Sequence, residues 1–397
     1  MTGSAPGPAL AGDEMRVVAE LLAAAWGQHV PVRDAEVLWG RANVVRVRLA
    51  DGRPAVVKRR PGPERGDAPD RDRSSADFQT ELAALEYLNA MPEPVAPRLL
   101  GADLPAGLIV MEDLGAGATL ADSLMAGDRA QVEADLAAYA RSLAAMHAWT
   151  SRHPGELAAL RDRYAARTGG GTRLMAALAR GTRPFLALAA ELGLPAGGVE
   201  DEIAGLGGLL AATGFAALVH GDGCPDNVRF LGGACRFLDF ETAAWGAAAI
   251  DAVFLLAPFP SCWCFARLPD DVAGPATETY RSALAAAGIG LGPDWQAALA
   301  AALVCWIVAR GRVLGRLLSE DPEWGTTTMR PRLLAWLRSF LDAAGGTSEL
   351  SRLAGLSAAL LAELSRRWPE AEVPDYPALA GPGAALAVVP DEWRPGQ

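Results

Sequence analysis

Apolar and polar positions divide the chain into two differently patterned parts. In the first, Val44–Leu49 (VVRVRL) and residues 54–58 (PAVVK) are short β-branched runs separated by Ala50-Asp51-Gly52-Arg53, a turn signature. The spacing predicts a hairpin with Lys58 ending its second strand. Residues 59–77 follow, dense in Pro, Gly, Asp and Arg without any period, as a mobile solvated loop would be. The period then becomes helical: over 78–91, Phe78, Leu82, Leu85 and Leu88 recur on one face, with Glu81 beside that stripe and Pro92, Pro94 and Pro97 stopping the helix. Residues 108–114 read as a buried strand entering an acidic turn at Gly115, which places a hinge between two domains there.

Beyond the hinge the pattern is mostly helical, over 128–149, 155–166, 173–192, 201–212 and further segments to Arg367. The longest apolar stretch, Trp295–Ala309, is shorter than the roughly 20 residues a membrane helix needs, and is read as a buried helix. The Pro-rich end, 368–397, is expected to wrap the surface or remain irregular. The expected division is therefore a smaller, strand-rich domain over 1–112 and a larger helical domain over 113–397. No internal repeat is evident.

Composition narrows the class. A chain of 397 residues that is 51% hydrophobic and 21% charged is a folded protein with room for two or three cores. Its net charge of -11 gives no electrostatic footprint for nucleic acid or an anionic membrane, and suits cationic or neutral partners. Five cysteines, and a start without a basic segment followed by an apolar run, argue against secretion and a disulfide framework; a cytoplasmic location is expected.

Of 36 basic residues, Lys58 alone is lysine. An ammonium on a slim stem is a compact point charge, suited to reaching phosphate oxygens beneath a covering loop where a guanidinium is too broad. Just upstream, LWGRANVVRVR carries Gly40, Ala42 and Asn43 into the strand, small residues past which backbone amides could approach phosphates; an ordinary turn reads the same way. Glu81 is a solvated helix charge unless a lysine lies opposite it.

The densest chemistry lies over 218–251, LVHGDGCPDNVRFLGGACRFLDFETAAWGAAAID. A polar loop holds Asp222 and, five residues on, Asn227; two short strands around Gly232-Gly233 then lead to Asp239 and Glu241. Two carboxylates and a carboxamide suit magnesium, a hard cation that prefers oxygen ligands, together with a base. Phosphoryl transfer requires that set plus a cation on the nucleotide, which Lys58 could supply.

With these residues in view, the chain resembles the aminoglycoside phosphotransferase-like small-molecule kinases, relatives of choline and homoserine kinases that share the protein-kinase fold. The resemblance implies an α+β, two-lobed architecture, with a small antiparallel sheet lobe and a larger helical lobe. It implies a kinase that uses ATP or GTP with Mg2+ to phosphorylate a small-molecule hydroxyl acceptor, with antibiotic resistance or a metabolic amino alcohol or sugar as its context. HGDGCPDN is similar to the catalytic loop, which makes Asp222 the base and Asn227 a magnesium ligand; FLDFE is similar to the metal strand, which makes Asp239 the second ligand. Lys58 and Glu81 match the ion pair on the nucleotide phosphates, the segment with Gly40, Ala42 and Asn43 the covering loop, and Glu112, Asp113 and Leu114 the hinge receiving the base. Asp251 matches the aspartate that steadies the catalytic loop, and His220 is read as structural support. Gly223, Cys224 and Asp226 depart from the family pattern and bear on substrate contacts. The rival from another class is a silent nucleotide-binding module, whose mark would be a missing base or metal ligand.

Duller roles fit several other residues. Asp226 reads as a turn residue or part of an acidic rim, and Glu241 as a loop brace or a water-bridged metal contact. His147, on a helical face, reads as a satisfied core residue, and Cys262 and Cys264 as buried thiols. Trp245, Trp263, Trp295, Trp306 and Trp324 are core or acceptor-pocket residues; Asp270, Asp271, Glu278 and Asp294 read as surface carboxylates.

Overall fold

The structure is a computed structural model that describes residues 9–38, 43–60, 68–164, 173–257 and 259–380. It opens with helix α1 (Gly12–Trp26) and strands β1 (Val32–Val37), β2 (Val44–Leu49) and β3 (Pro54–Arg59), followed by helix α2 (Ala68–Leu88), β4 (Leu99–Asp103) and β5 (Leu108–Glu112). The five strands form one antiparallel sheet in the order β1-β2-β3-β5-β4. Successive side chains of a strand face opposite sides. Ala55 and Val57 of β3 therefore turn toward α1, where they join Val45, Val47 and Val110 around Val18 and Leu22 in a small core. Val56 and Lys58 point the other way. The register carries that face across the sheet, because Val44 pairs with Lys58 and Met111 with Val56.

Two expectations need correction here. Helix α2 begins at Ala68, inside the stretch read as loop: its first turns, PDRDRSSAD, have no apolar stripe to announce them, and Pro69 near the start loses only an N–H that a first turn leaves unpaired anyway. The edge strands β1 and β4 were not anticipated either. β1 has no buried position and β4 is only partly buried throughout, so neither carries the alternation that marks a half-buried strand.

The larger part is helical: α3 (Leu120–Ala126), α4 (Arg129–Thr150), α5 (Pro154–Arg163), α6 (Arg173–Glu191), α7 (Val199–Ala212), then α8 (Ala249–Ala252), α9 (Asp270–Ala286), α10 (Trp295–Ala309), α11 (Gly311–Leu314), α12 (Met329–Ala343) and α13 (Ser351–Arg367). Between α7 and α8 lie two short antiparallel pairs, β6 (Ala216–Val219) with β9 (Ala244–Ala247), and β7 (Val228–Leu231) with β8 (Ala234–Phe237). A last small hairpin joins β10 (Glu323–Trp324) and β11 (Thr327–Thr328). α10 is apolar on every side and is buried nearly throughout, as a helix through the middle of a core must be. Among the described residues, no helix is long and apolar enough to cross a membrane. The carboxy-terminal segment wraps the surface up to residue 380: Trp368, Ala371 and Tyr376 are buried, and Arg267 N–H bonds to Pro374 O.

Where α6 meets the junction of α10 and α11, the two backbones touch. A Cβ on Gly181 would stand 1.7 Å from Val308 O, and one on Gly311 would stand 2.1 Å from Gly181 O. Backbone oxygens of packed helices cannot rotate aside. Gly181→Ala should therefore destabilise the protein by about 2–3 kcal/mol despite the better helix propensity of alanine, measured as a lower urea midpoint with an unchanged m-value.

Candidate active site

The cleft face of the sheet and the β7–β8 hairpin enclose a cavity of about 320 Å³, large enough for a small ligand. Lys58 projects into it from β3. Its Nζ lies 2.5 Å from Glu81 Oε2 on α2, 2.6 Å from Asp239 Oδ1 and 3.5 Å from Glu241 Oε2. Glu81, which the sequence placed beside an apolar stripe, is buried among Phe78, Leu82 and Leu85. Burial alone would lower the Lys58 pKa, but the charges of Glu81, Asp239 and Glu241 outweigh it and hold the ammonium above its ordinary range. Burial pushes the Glu81 carboxyl up, and Lys58 opposes it.

Asp239 stands just past β8 with φ 66, the one left-handed non-glycine residue among those described. Aspartate tolerates that region better than most residues, because its short polar side chain can bond locally. The turn swings the carboxylate toward Lys58, while Leu238 N–H donates to Asn227 O at 2.7 Å and ties the strand end to the loop before β7.

In that loop, Asp222 is held from several sides. Ser261 Oγ donates to Asp222 Oδ1 at 2.7 Å, and Asn227 Nδ2 donates to the Asp222 carbonyl at 3.0 Å. Burial raises the Asp222 carboxyl above its ordinary range, and the bond from Ser261 opposes the shift. Beneath the loop, Asp251 Oδ2 and Oδ1 accept from His220 N–H at 2.6 Å and Gly221 N–H at 2.9 Å. His220 Nε2 donates to Leu238 O at 2.8 Å and Nδ1 accepts from Asp222 N–H at 3.2 Å, so this histidine is used up in bracing the loop.

His147 on α4 extends the brace. It is fully buried, 3.3 Å from Asp251 Oδ2 through Nε2 and 2.8 Å from the Tyr280 hydroxyl through Nδ1. Asp251 can only accept, so Nε2 carries the proton and Tyr280 donates to Nδ1. Burial would raise the Asp251 carboxyl, but bonds from His147 and Gly221 hold it below its usual range.

Where β5 ends, the Glu112 carboxylate accepts from Arg236 Nη1 at 2.6 Å, and Asp113 accepts from Arg46 Nε at 2.6 Å and Gly115 N–H at 2.8 Å. Glu112, Asp113 and Leu114 all line the cavity. With both side chains engaged, backbone is what this segment has to offer a ligand. Asn43 also lines the cavity, whereas Gly40 and Ala42 fall outside the described residues.

Several features here had no signature in the sequence. Ser261 and Arg46 reach the site through tertiary contacts alone; Trp263, read from the sequence as a core or acceptor-pocket residue, donates from Nε1 to Asp226 Oδ2 at 3.0 Å, which fixes both on the cavity wall. Arg310, carried over the Trp324 ring at 5.7 Å, feels the Asp222 charge. The expectation of buried thiols holds for Cys264 and fails for Cys262, which forms a disulfide with Cys224. The fold brings their Cα atoms to 5.5 Å across 38 residues of sequence, a proximity that no local pattern encodes. Trp295 and Trp306 are core residues, and Asp270, Asp271, Glu278 and Asp294 are exposed, as expected.

A family model described as the phosphotransferase enzyme family matches residues 35–300. Among solved structures, the chain is similar to a protein from Ralstonia eutropha JMP134 assigned as an aminoglycoside phosphotransferase, at 17% identity over 89% of this chain and 97% of that one, TM-score 0.48. It is similar also to macrolide 2'-phosphotransferase from Brachybacterium faecium, at 18% identity over 77% and 99% of the two chains, TM-score 0.43. A choline/ethanolamine kinase family protein from Mesorhizobium loti is 15% identical over 87% and 98%, TM-score 0.39. No curated protein matches.

The disulfide gives a direct check on the loop packing. Unfolded without reductant, the chain should titrate with a thiol reagent as three cysteines, Cys235, Cys264 and Cys305; after reduction it should titrate as five. Five thiols in the unreduced sample would remove the cross-link from the loop that carries Asp222.

Proposed function

The chain belongs to the phosphotransferase enzyme family, and on that footing we propose that it transfers the γ-phosphoryl group of ATP or GTP to a hydroxyl of an antibiotic or another small metabolite. The family acts on hydroxyl groups; the donor, the acceptor and the residue roles below are our reading. One observation supports it above the others: the sole lysine, Lys58, meets Glu81 and Asp239 at the head of a cavity whose wall carries Asn227.

In this reading the part up to Glu112 grips the nucleotide and the remainder binds the acceptor. The base lies against the backbone of residues 112–114. Lys58, oriented by Glu81, would bind phosphate oxygens, because a compact ammonium fits where three carboxylates already crowd. Oxygen atoms of Glu81, Asp239 and Glu241 lie within 4.8 Å of one another, and with the Asn227 carboxamide they make a hard-oxygen donor set that fits magnesium. Asn227 and Asp239 would hold the ion, with Glu241 beside them; bound magnesium would neutralise charge on the phosphates.

Asp222 is the base. Ser261 occupies its Oδ1, so Oδ2 is the oxygen that would receive the acceptor proton as the hydroxyl oxygen bonds to the γ-phosphorus and the bond from that phosphorus to the β–γ bridging oxygen breaks. A silent nucleotide-binding module would lack one of these groups, yet Lys58, Asp222, Asn227 and Asp239 are all present. The net charge of -11 favours a cationic acceptor such as an aminoglycoside or an amino alcohol.

A coupled ADP-release screen with aminoglycosides, macrolides, amino alcohols and sugars tests the reading, and the acceptor that raises the rate separates the resistance role from the metabolic one. No acceptor-dependent release with either ATP or GTP would refute it. Asp222→Ala should reduce turnover by about 10²–10⁴-fold, the range for losing a general base, with nucleotide affinity little changed. Lys58→Arg keeps the charge but not the shape, and should raise the nucleotide KM and lower kcat together; normal kinetics in that variant would overturn the role given to the lone lysine.

A further inference from the structure

We propose that Ser261 is a positioning residue for the reaction, a role that rests on the reading of Asp222 as the base. An aspartate carboxylate turns about a broad, two-fold torsion, so a base that must present one oxygen to an incoming hydroxyl needs its other oxygen anchored. Ser261 supplies that anchor, with Oγ 2.7 Å from Asp222 Oδ1. The other side chain donating to this carboxylate is Asn227, whose Nδ2 reaches Oδ2 only at 3.5 Å and makes its shorter bond to the backbone oxygen. Cys224 Sγ is also near Oδ1, but in the disulfide it has no proton to donate. The short contact to Oδ1 is therefore the serine's.

The segment carrying Ser261 is fastened well enough to serve as a fixed reference. On its next residue, Cys262 is joined covalently to Cys224, two positions past the base. Buried Arg332 donates to Cys262 O at 2.7 Å through Nη1 and to Trp263 O at 3.2 Å through Nη2. Thr326, at the β10–β11 turn, donates to Trp263 O from its backbone at 2.9 Å and from its hydroxyl at 3.1 Å. Trp263 in turn binds Asp226, inside the catalytic loop. Base and anchor are thus clamped to each other through the two residues that follow the serine, Cys262 and Trp263, and the hydroxyl carries that rigidity to the carboxylate. Misplacing a reacting group by about 1 Å can cost 10²-fold in rate.

The test compares Ser261→Ala, Ser261→Thr, Asp222→Asn and the double variant Asp222→Asn/Ser261→Ala. Its readouts are ADP release from magnesium-ATP with water as the acceptor, the dissociation constant for a fluorescent ATP analogue, and the thermal midpoint. Ser261→Ala should lower kcat about 10-fold, equivalent to about 1.4 kcal/mol of activation free energy, while nucleotide affinity and midpoint stay near the parent values. Ser261→Thr, which keeps a hydroxyl, should recover most of the rate. The double variant should be no slower than Asp222→Asn alone, because an anchor without its carboxylate has nothing to orient. Parent-like kcat in Ser261→Ala, failure of threonine to rescue, or an additive loss in the double variant would each overturn the proposal. If Asp222→Asn turns over normally, the reading of Asp222 fails and takes this inference with it; if Asp222→Asn is inactive and Ser261→Ala is not, only the inference falls.

Discussion

One ammonium among three carboxylates sets the terms for the rest of this molecule. Desolvating an ion costs several kcal/mol even after relaxation, and a buried pair survives only where the partner is close and the remaining oxygens are satisfied. Lys58 meets that condition with Glu81 at 2.5 Å and Asp239 at 2.6 Å. The three residues come from the sheet, from the helix that crosses it and from the end of a hairpin 181 residues further on. The salt-bridged cluster therefore joins the sheet lobe to the helical lobe across the cavity where a nucleotide would lie. Anything that binds there must compete for, or share, those charges.

Strand parity makes that meeting possible. In β3, Ala55 and Val57 are wholly buried against α1, and Lys58 is on the cleft face because it is an odd step from Val57. A slip of one residue would put the ammonium into an apolar core and a valine into the cavity. The turn after β8 supplies the matching constraint from the other lobe: without the left-handed backbone at Asp239, the strand would not bring its carboxylate to the same point. Two unrelated pieces of local geometry thus converge on one ion pair.

This explains which parts were legible in advance. The hairpin of β2 and β3, the strand at β5, the amphipathic stripe of α2 and the loop from His220 to Asn227 are local patterns, and each lies where its spacing put it. Lys58 and Glu81 could be paired only by resemblance, since 22 residues, among them a polar stretch without a period, separate them in sequence. Ser261, Arg332 and the Cys224–Cys262 bond were out of reach for a different reason: they act through backbone and side-chain contacts between segments with no shared period. The same holds for His147, which the sequence read correctly as a satisfied core residue but without the partners, Asp251 and Tyr280, that satisfy it.

Those partners divide the labour between the lobes. Asp222 is braced from below by a chain of buried polar groups, Asp251, His147 and Tyr280, anchored on α8, α4 and α9, and from the side by the segment around Ser261. All of these belong to the helical part. Of the groups facing the cavity from above, Lys58 belongs to the sheet and reaches the helical part through Asp239 and Glu241, whereas Glu81 stands on α2, which is itself fastened to the helical part where Tyr87 donates to Thr150 O and His153 O. A small rotation of the sheet would therefore change the distance from Lys58 to Asp239 while leaving the carboxylate of Asp222 where the helical core holds it. For the phosphoryl transfer proposed above, that arrangement would let the sheet adjust to charge on entering and leaving ligands without disturbing the carboxylate that would aim the acceptor.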